Sequence, residues 1–288
     1  MTTMALGWSS RLGRNLLGSK EAMVGAVLVA LFAVAALAAP WVSPTDPLAQ
    51  DLAKRLIPPA WQSGGSLQHL LGTDQLGRDV LARVIHGGRV TLIVGFACAF
   101  IAGVVGTLLG VVAAYVGGRV DNLIMRVADV QLSLPFIILA IALVAVLGPS
   151  LFNIIIVLGL TSWVRFARVV RAETLVIRES NYVEAVVALG ASTWRIIWRH
   201  ILPNVASSII VVATLEVPRL ILMEASLSFL GLGVQPPTPS WGSMAADGRT
   251  YLTIAWWLTT VPGLAITIVA LSVNLLGDWL RDALDVRL

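Results

Sequence analysis

The sequence predicts an all-α, polytopic membrane protein with six transmembrane helices and both termini in the cytoplasm. Hydrophobic residues make up 57% of the 288 and charged residues 12%, with a mean hydropathy of +0.87. An ordinary globular domain holds roughly 45–50% apolar and about 25% charged residues, so a soluble fold of this size could not cover its surface. Six stretches are apolar for long enough to cross a bilayer, which takes about 20 residues per helix. Basic residues, finally, gather on one side of the implied crossings.

In chain order, residues 1–22 carry Arg11, Arg14 and Lys20 and are expected to be a cytoplasmic segment. The first span is Met23–Val42. Its Ala36-Leu37-Ala38 has the small-x-small pattern of a signal-peptide cleavage site, but the apolar run exceeds a usual signal core and five more spans follow, so an uncleaved helix is expected. Residues 43–89 form an external loop, rich in Pro and Gly at its start and amphipathic at its end. A five-helix core follows at 90–276, with spans at Val90–Tyr115, Val127–Leu147, Leu151–Phe166, Val205–Leu230 and Ile254–Leu276. The fourth is the shortest and the fifth is interrupted by polar residues. A charged cytoplasmic loop occupies 167–204, a shorter external loop Gly231–Thr253 carries Pro236, Pro237 and Pro239, and 277–288 is a cytoplasmic tail. With the N-terminus inside, thirteen of the 20 Lys and Arg residues fall on the cytoplasmic side. Arg165, Arg168, Arg171, Arg178, Arg195 and Arg199 precede the fifth span, and the bias is the positive-inside rule at work.

The formal net charge of +4 is then topology rather than affinity for nucleic acid. The single cysteine, Cys98, excludes an internal disulfide and a Cys-rich metal site. A P-loop needs its Lys directly after the second glycine. Gly13 to Gly18 followed by Ser19-Lys20 has it one position late and before a span, so it is a basic membrane flank and the chain hydrolyses no ATP. His69, His86 and His200 all lie outside the spans, there is no HExxH pattern, and Ser162 and Ser226 have no intramembrane histidine partner. No catalytic set, cofactor site or metal site is expected.

Charges that do enter the membrane sit in the fifth span: Glu216, Arg219 and Glu224, around Pro218. Each costs on the order of 2.5–3.5 kcal/mol on insertion scales unless paired or wetted. Two readings follow. These residues line a gate or pathway at a broken helix, or Glu216 and Arg219, three apart, form a structural pair.

In the 167–204 loop, Tyr182, Val186 and Leu189 share one helical face, and Trp194, Ile197, Trp198 and Ile201 share another after Gly190. Two short amphipathic helices are expected, ended by Leu202-Pro203, that dock either on another protein or on the membrane surface. Glu184-Ala185-Val186, Gly190 and His200-Ile201-Leu202-Pro203 resemble the EAA loop of type I ABC-importer permeases, with Val186 in place of an Ala and His200 in place of an Ile. Arg199-His200-Ile201-Leu202-Pro203-Asn204 is similar to the peptide-permease ending. Gly72-Thr73-Asp74-Gln75-Leu76-Gly77-Arg78-Asp79 is similar to the segment before the second span of C-type dipeptide/oligopeptide permeases. The run from Glu224 through Gly231-Leu232-Gly233 and Pro236-Pro237 to Trp241-Gly242 resembles that subfamily's most specific segment.

The resemblance implies the type I permease fold in a bacterial inner membrane, surrounded by lipid. It implies a homologous second permease, two ATPase subunits that use ATP and Mg, and an extracytoplasmic solute-binding protein. Glu184, Ala185 and Gly190, with His200, Leu202 and Pro203 closing the loop, would contact an ATPase. The implied cargo is di- or oligopeptides, with glutathione or nickel chelates as alternative cargoes. A stand-alone secondary transporter is the alternative class.

Overall fold

The computed structural model describes residues 18–43 and 45–285. Arg11, Arg14 and Arg287, three of the orienting charges, lie outside them. Among the described residues the only strand-like pairing is one bridge between Thr73 and Asp79; the rest is helix and connecting loop.

Helix α1 (Lys20–Leu37) is capped by Ser19, whose hydroxyl accepts from the Ala22 N–H at 3.3 Å. The Ser-Lys pair that mimics the end of a P-loop is therefore a cap and a first turn. A short α2 (Ala39–Val42) follows. Helix α3 runs Val80–Val116, starting at Val80 rather than Val90, because Asp79 caps it through an Oδ1 contact with the Ala82 N–H at 2.8 Å. The amphipathic end of the external loop is thus the first turns of α3. His86, Gly87, Gly88 and Arg89 lower the hydropathy there without breaking the helix, and the glycines make room for Trp241: a Cβ at Gly88 would lie 2.8 Å from its ring.

The third span is not one helix. It is α4 (Gly118–Ser133) and α5 (Phe136–Leu147), bent by 92°. Pro135 disfavours the helical conformation in the residue before it, and Leu134 is extended at φ −93°, ψ 131°. Five helices are long and apolar enough to cross a membrane, or six if the bent pair is one crossing. Helices α6 (Leu151–Thr161) and α7 (Trp163–Arg178) form one rod that passes the expected end at Phe166. Arg165, Arg168, Arg171 and Arg178 depress the hydropathy but are good helix formers, so they sit on a helix and not in a loop.

Helices α8 (Asn181–Ala188) and α9 (Thr193–Ile196) are the two short helices expected around Gly190. Pro203 does not end the second. One π turn, Ile197–Ile201, carries α9 into α10 (Leu202–Phe229), and Pro203 directly follows that turn as the second residue of α10. Pro218 lies inside α10 without interrupting it, so the expected broken helix is continuous. Helices α11 (Trp241–Gly248) and α12 (Trp257–Asp285) complete the chain.

Helix α3 is the centre of the bundle and packs on α1, α6, α7 and α10. Its contact with α7 is made by glycines: a Cβ at Gly106 would lie 2.5 Å from the Trp163 carbonyl oxygen, and one at Gly110 would lie 2.7 Å from that of Ala167. Small residues let helices without a hydrophobic driving force approach closely in lipid. The larger core gathers Val94, Leu158, Leu220, Ile221, Trp241 and Trp257. A second, built on Val111, Val170, Val183, Ile196, Ile201 and Val205, fastens α8 and α9 to one end of the bundle.

Gly106→Leu should force α3 and α7 apart and lower stability by about 1–3 kcal/mol, the usual cost of overpacking. A fall in the thermal unfolding midpoint of the detergent-purified protein checks this.

Candidate functional site

The sequence-derived site residues fall into three clusters, one at each end of the bundle and one midway, with Glu224 apart from them.

At the α8 end, Gly190 turns the chain at φ +79°, a left-handed conformation that side chains other than glycine's resist. Val183 and Ile196 point inward and anchor the two short helices. Glu184, Ala185 and Gly190 are exposed at the tip, and Leu189 is 87% exposed. Val186 is half-buried and Tyr182 turns outward, so the apolar face expected from spacing is split between anchor and surface. Trp194 and Trp198 are likewise exposed and lie 5.2 Å apart, ring to ring. His200 contributes its backbone: its carbonyl accepts from the Tyr182 hydroxyl at 3.1 Å and from Asn204 Nδ2 at 2.5 Å. That bond ties α8 to the start of α10. Leu202 is half-buried and Pro203 exposed in the same turn. Arg178, unnoticed as a site residue in the sequence, donates to the carbonyls of Ala114 and Tyr115 at the end of α3. Beside it a cavity of about 620 Å³ opens between Tyr115, Val116, Arg178, Glu184 and Val187.

At the opposite end, the segment before α3 is folded around Asp74. Its Oδ1 accepts from the Leu76 and Arg78 N–H groups at 2.8 and 2.9 Å, and its Oδ2 accepts from Arg78 Nε at 2.6 Å and Arg83 Nη1 at 2.7 Å. All three side chains are buried. Gly77 makes the turn at φ +73° with a Cβ position only 1.8 Å from the Asp51 carbonyl oxygen, so no other residue fits. Gly72 accepts the chain's reversal in the same left-handed region. Asp79, besides capping α3, is 2.8 Å from His69 Nδ1. Thr73 offers its carbonyl to Trp257 Nε1 at 3.2 Å, tying the segment to α12. A cavity of about 610 Å³ lies beside this cluster, lined by Gln75, Arg78, Asp247 and the loop from Ser228 to Thr238. Burial pushes the Asp247 carboxyl above its usual range while Arg83, 3.8 Å away, draws it down.

Midway, Glu216 is 2% exposed and held between two guanidiniums: Arg219 Nε donates at 2.8 Å from the same helix and Arg165 Nη1 at 2.9 Å from α7. Arg219 also reaches Ser162 Oγ at 3.3 Å and lies 4.5 Å above the Phe136 ring. Glu224 does not join them. Its Oε1 accepts from Ser228 Oγ at 2.7 Å and from Ser240 Oγ, the cap of α11, at 3.0 Å. Its Oε2 has no hydrogen-bond partner among the described residues. The three charges of the fifth span are therefore two separate sites. Arg165 was missed because it precedes Glu216 by many residues and looked like a loop charge.

Residues 106–288 match the family described as binding-protein-dependent transport system inner membrane component, and residues 9–59 match the N-terminal TM domain of oligopeptide transport permease C. The chain is 45% identical over 270 residues to the di/tripeptide transport system permease protein DppC of Pseudomonas aeruginosa, covering 94% of this chain and 89% of that one. It is 45% identical, over 94% and 90%, to the dipeptide transport system permease protein DppC of Escherichia coli K12. It is also 42% identical, over 94% and 89%, to the probable D,D-dipeptide permease DdpC of the same organism. Among solved structures, a chain of the MetNI methionine ABC transporter in an inward-facing conformation superimposes with a TM-score of 0.56 at 21% identity, over 70% of this chain and 97% of that one.

Replacing Asp74 by Ala should leave Arg78 buried without its carboxylate and Arg83 with only Asp247, 3.8 Å away, and cost about 3–5 kcal/mol, the usual penalty for breaking a buried pair. Thermal unfolding in detergent reads this, with Asp74→Asn, which keeps a carbonyl acceptor, falling between Ala and wild type.

Proposed function

The chain belongs to the binding-protein-dependent transport system inner membrane components, a multi-pass permease subunit of an ABC importer, and from that premise we propose that it carries di- or oligopeptides inward, driven by ATP hydrolysis on partner subunits. The α8 end faces the cytoplasm and the Asp74 end faces outward, with both termini inside, in keeping with the Lys/Arg bias. The observation that carries the coupling role is the exposed tip of α8: Glu184, Ala185 and Leu189 stand clear of the bundle, while Val183 and Ile196 root the same helices in its core.

A lever needs such an arrangement. The Tyr182–His200–Asn204 hydrogen bonds join α8 to α10, so a push on α8 passes to a helix that runs the depth of the membrane. Arg178 and the second core pass the same push to α3 and α7. An ATPase subunit would seat on the tip, with the cavity beside Glu184 receiving a side chain from it. ATP and Mg act there and not on this chain. A homologous permease completes the pathway, and a solute-binding protein delivers the peptide to the outer end, where the Asp74 cluster holds the loop before α3 against α12. The peptide cargo is supported by the relatives named for dipeptide and di/tripeptide transport.

Gly190→Val would place a β-branched residue at φ +79°, where L-residues pay roughly 1–2 kcal/mol or more, and should distort the tip without unfolding the bundle. Together with Glu184→Lys, it should abolish ATPase co-purification or peptide-stimulated ATP hydrolysis while leaving membrane insertion intact. Normal co-purification together with normal uptake of a labelled dipeptide in both variants would contradict the proposal.

A further inference from the structure

Helix α3 has two unlike faces. Toward α7 it is small, with Gly103, Gly106 and Gly110 letting the two helices close up. Its other face is bulky: Phe96, Phe100, Val104 and Leu108, four apart, stand exposed along one stripe. That stripe forms one wall of a groove of about 500 Å³, with Leu202, Ile210 and Val217 of α10 on the other wall. The buried ring of Phe166 closes its floor. The groove starts near the middle of α3 and runs toward Val116 over twelve residues, or about 18 Å. The hydrocarbon of one leaflet is about 15 Å thick.

The walls decide what the groove can hold. Helices that pair within a membrane meet through small residues, as α3 and α7 do. The rim here is made of large side chains, with Phe100 72% exposed, and these would hold a second helix off. Among the described residues that line the groove, none is charged. An alkyl chain asks for no polar partner and adapts to such a surface.

The groove ends, beside α9, on an aromatic and basic rim. Trp198 lines it there, its ring 5.2 Å from that of Trp194, and tryptophans gather at the level of lipid headgroups. Arg195 and Arg199 are four apart, so they share a side of the helix, and they flank Trp198 in the chain. Both are exposed, and neither has an ion-pair partner among the described residues. Between residues 180 and 204 the one carboxylate is Glu184, which lies on α8 beside the cavity that Arg178 lines. With that carboxylate counted, the two arginines leave the segment one positive charge in excess, next to the mouth of an apolar groove.

We propose that the groove is a site for an anionic phospholipid. One acyl chain lies between α3 and α10, and the phosphate is held by Arg195 and Arg199. A guanidinium suits a phosphate because its planar fork donates two parallel N–H bonds. Only the assignment to the cytoplasmic leaflet rests on the orientation proposed above; the site itself needs no more than a membrane-spanning chain. The two short helices joined at Gly190 then divide two docking roles, α8 to a protein and α9 to the membrane.

The test uses the assembled transporter in nanodiscs of phosphatidylethanolamine. The probe is phosphatidylglycerol with a diazirine midway along one acyl chain. After illumination, peptide mapping should find adducts at residues 100–108 and 209–213. Unlabelled phosphatidylglycerol should displace the probe roughly thirtyfold better than phosphatidylethanolamine does, as two arginines at a lipid surface predict. Arg195→Gln combined with Arg199→Gln should erase that preference. Ala213→Phe, which fills the groove, should abolish the adducts with both arginines in place. Absence of adducts from the groove of the wild type, or a cross-link there to the second permease, would overturn the site. Equal displacement by the two lipids, or a preference that survives the double substitution, would overturn the phosphate contact. Adducts read lipid occupancy and not uptake, so a transporter that moved no peptide would still decide the question.

Discussion

Hydrocarbon solvates neither a bare peptide group nor a bare charge, and the whole molecule is arranged under that constraint. Backbone polarity is absorbed into helices. Side-chain charge is handled by location. Asp74, Arg78 and Arg83 are buried together at one end of the bundle, where each has a partner. Glu216 is buried midway and clasped by two arginines. Glu224 is buried with hydroxyl donors in place of a cation.

Packing and transmission follow from the same economy of polar groups. Glycines along α3 bring it against α7 at backbone distance, giving a rigid pair to which α8 and α9 are anchored through Val183 and Ile196. The continuous rod from Thr193 to Phe229 then joins the exposed tip region to the charged midpoint at Glu216 and to Glu224 under the α11 cap. A displacement at one end has a stiff element along which to travel, and Pro218 does not interrupt it.

Several departures from the sequence-based expectation share one cause: hydropathy records where the chain is greasy, not where its hydrogen-bond ladder stops. Val80–Arg89 and Arg165–Arg178 are polar enough to look like loops, yet Asp79 caps the first and nothing breaks the second, so both are helical. Pro135, inside a long apolar run, stops the ladder and bends the chain by 92°. Pro203 and Pro218 looked like breaks, but one stands in a first turn and the other is absorbed within α10.

The sequence by itself determined the membrane class, the existence of the crossings, the hinge at Gly190 and the family segments around Asp74 and Glu184, because these depend on composition and on residues close in the chain. Only the tertiary structure decided which charges meet. Arg165 finds Glu216 and Glu224 finds Ser240 rather than Arg219, because ion pairing at membrane depth is settled by which helix faces lie opposite each other. Spacing along one helix could suggest Glu216 with Arg219; it carried no information about α7.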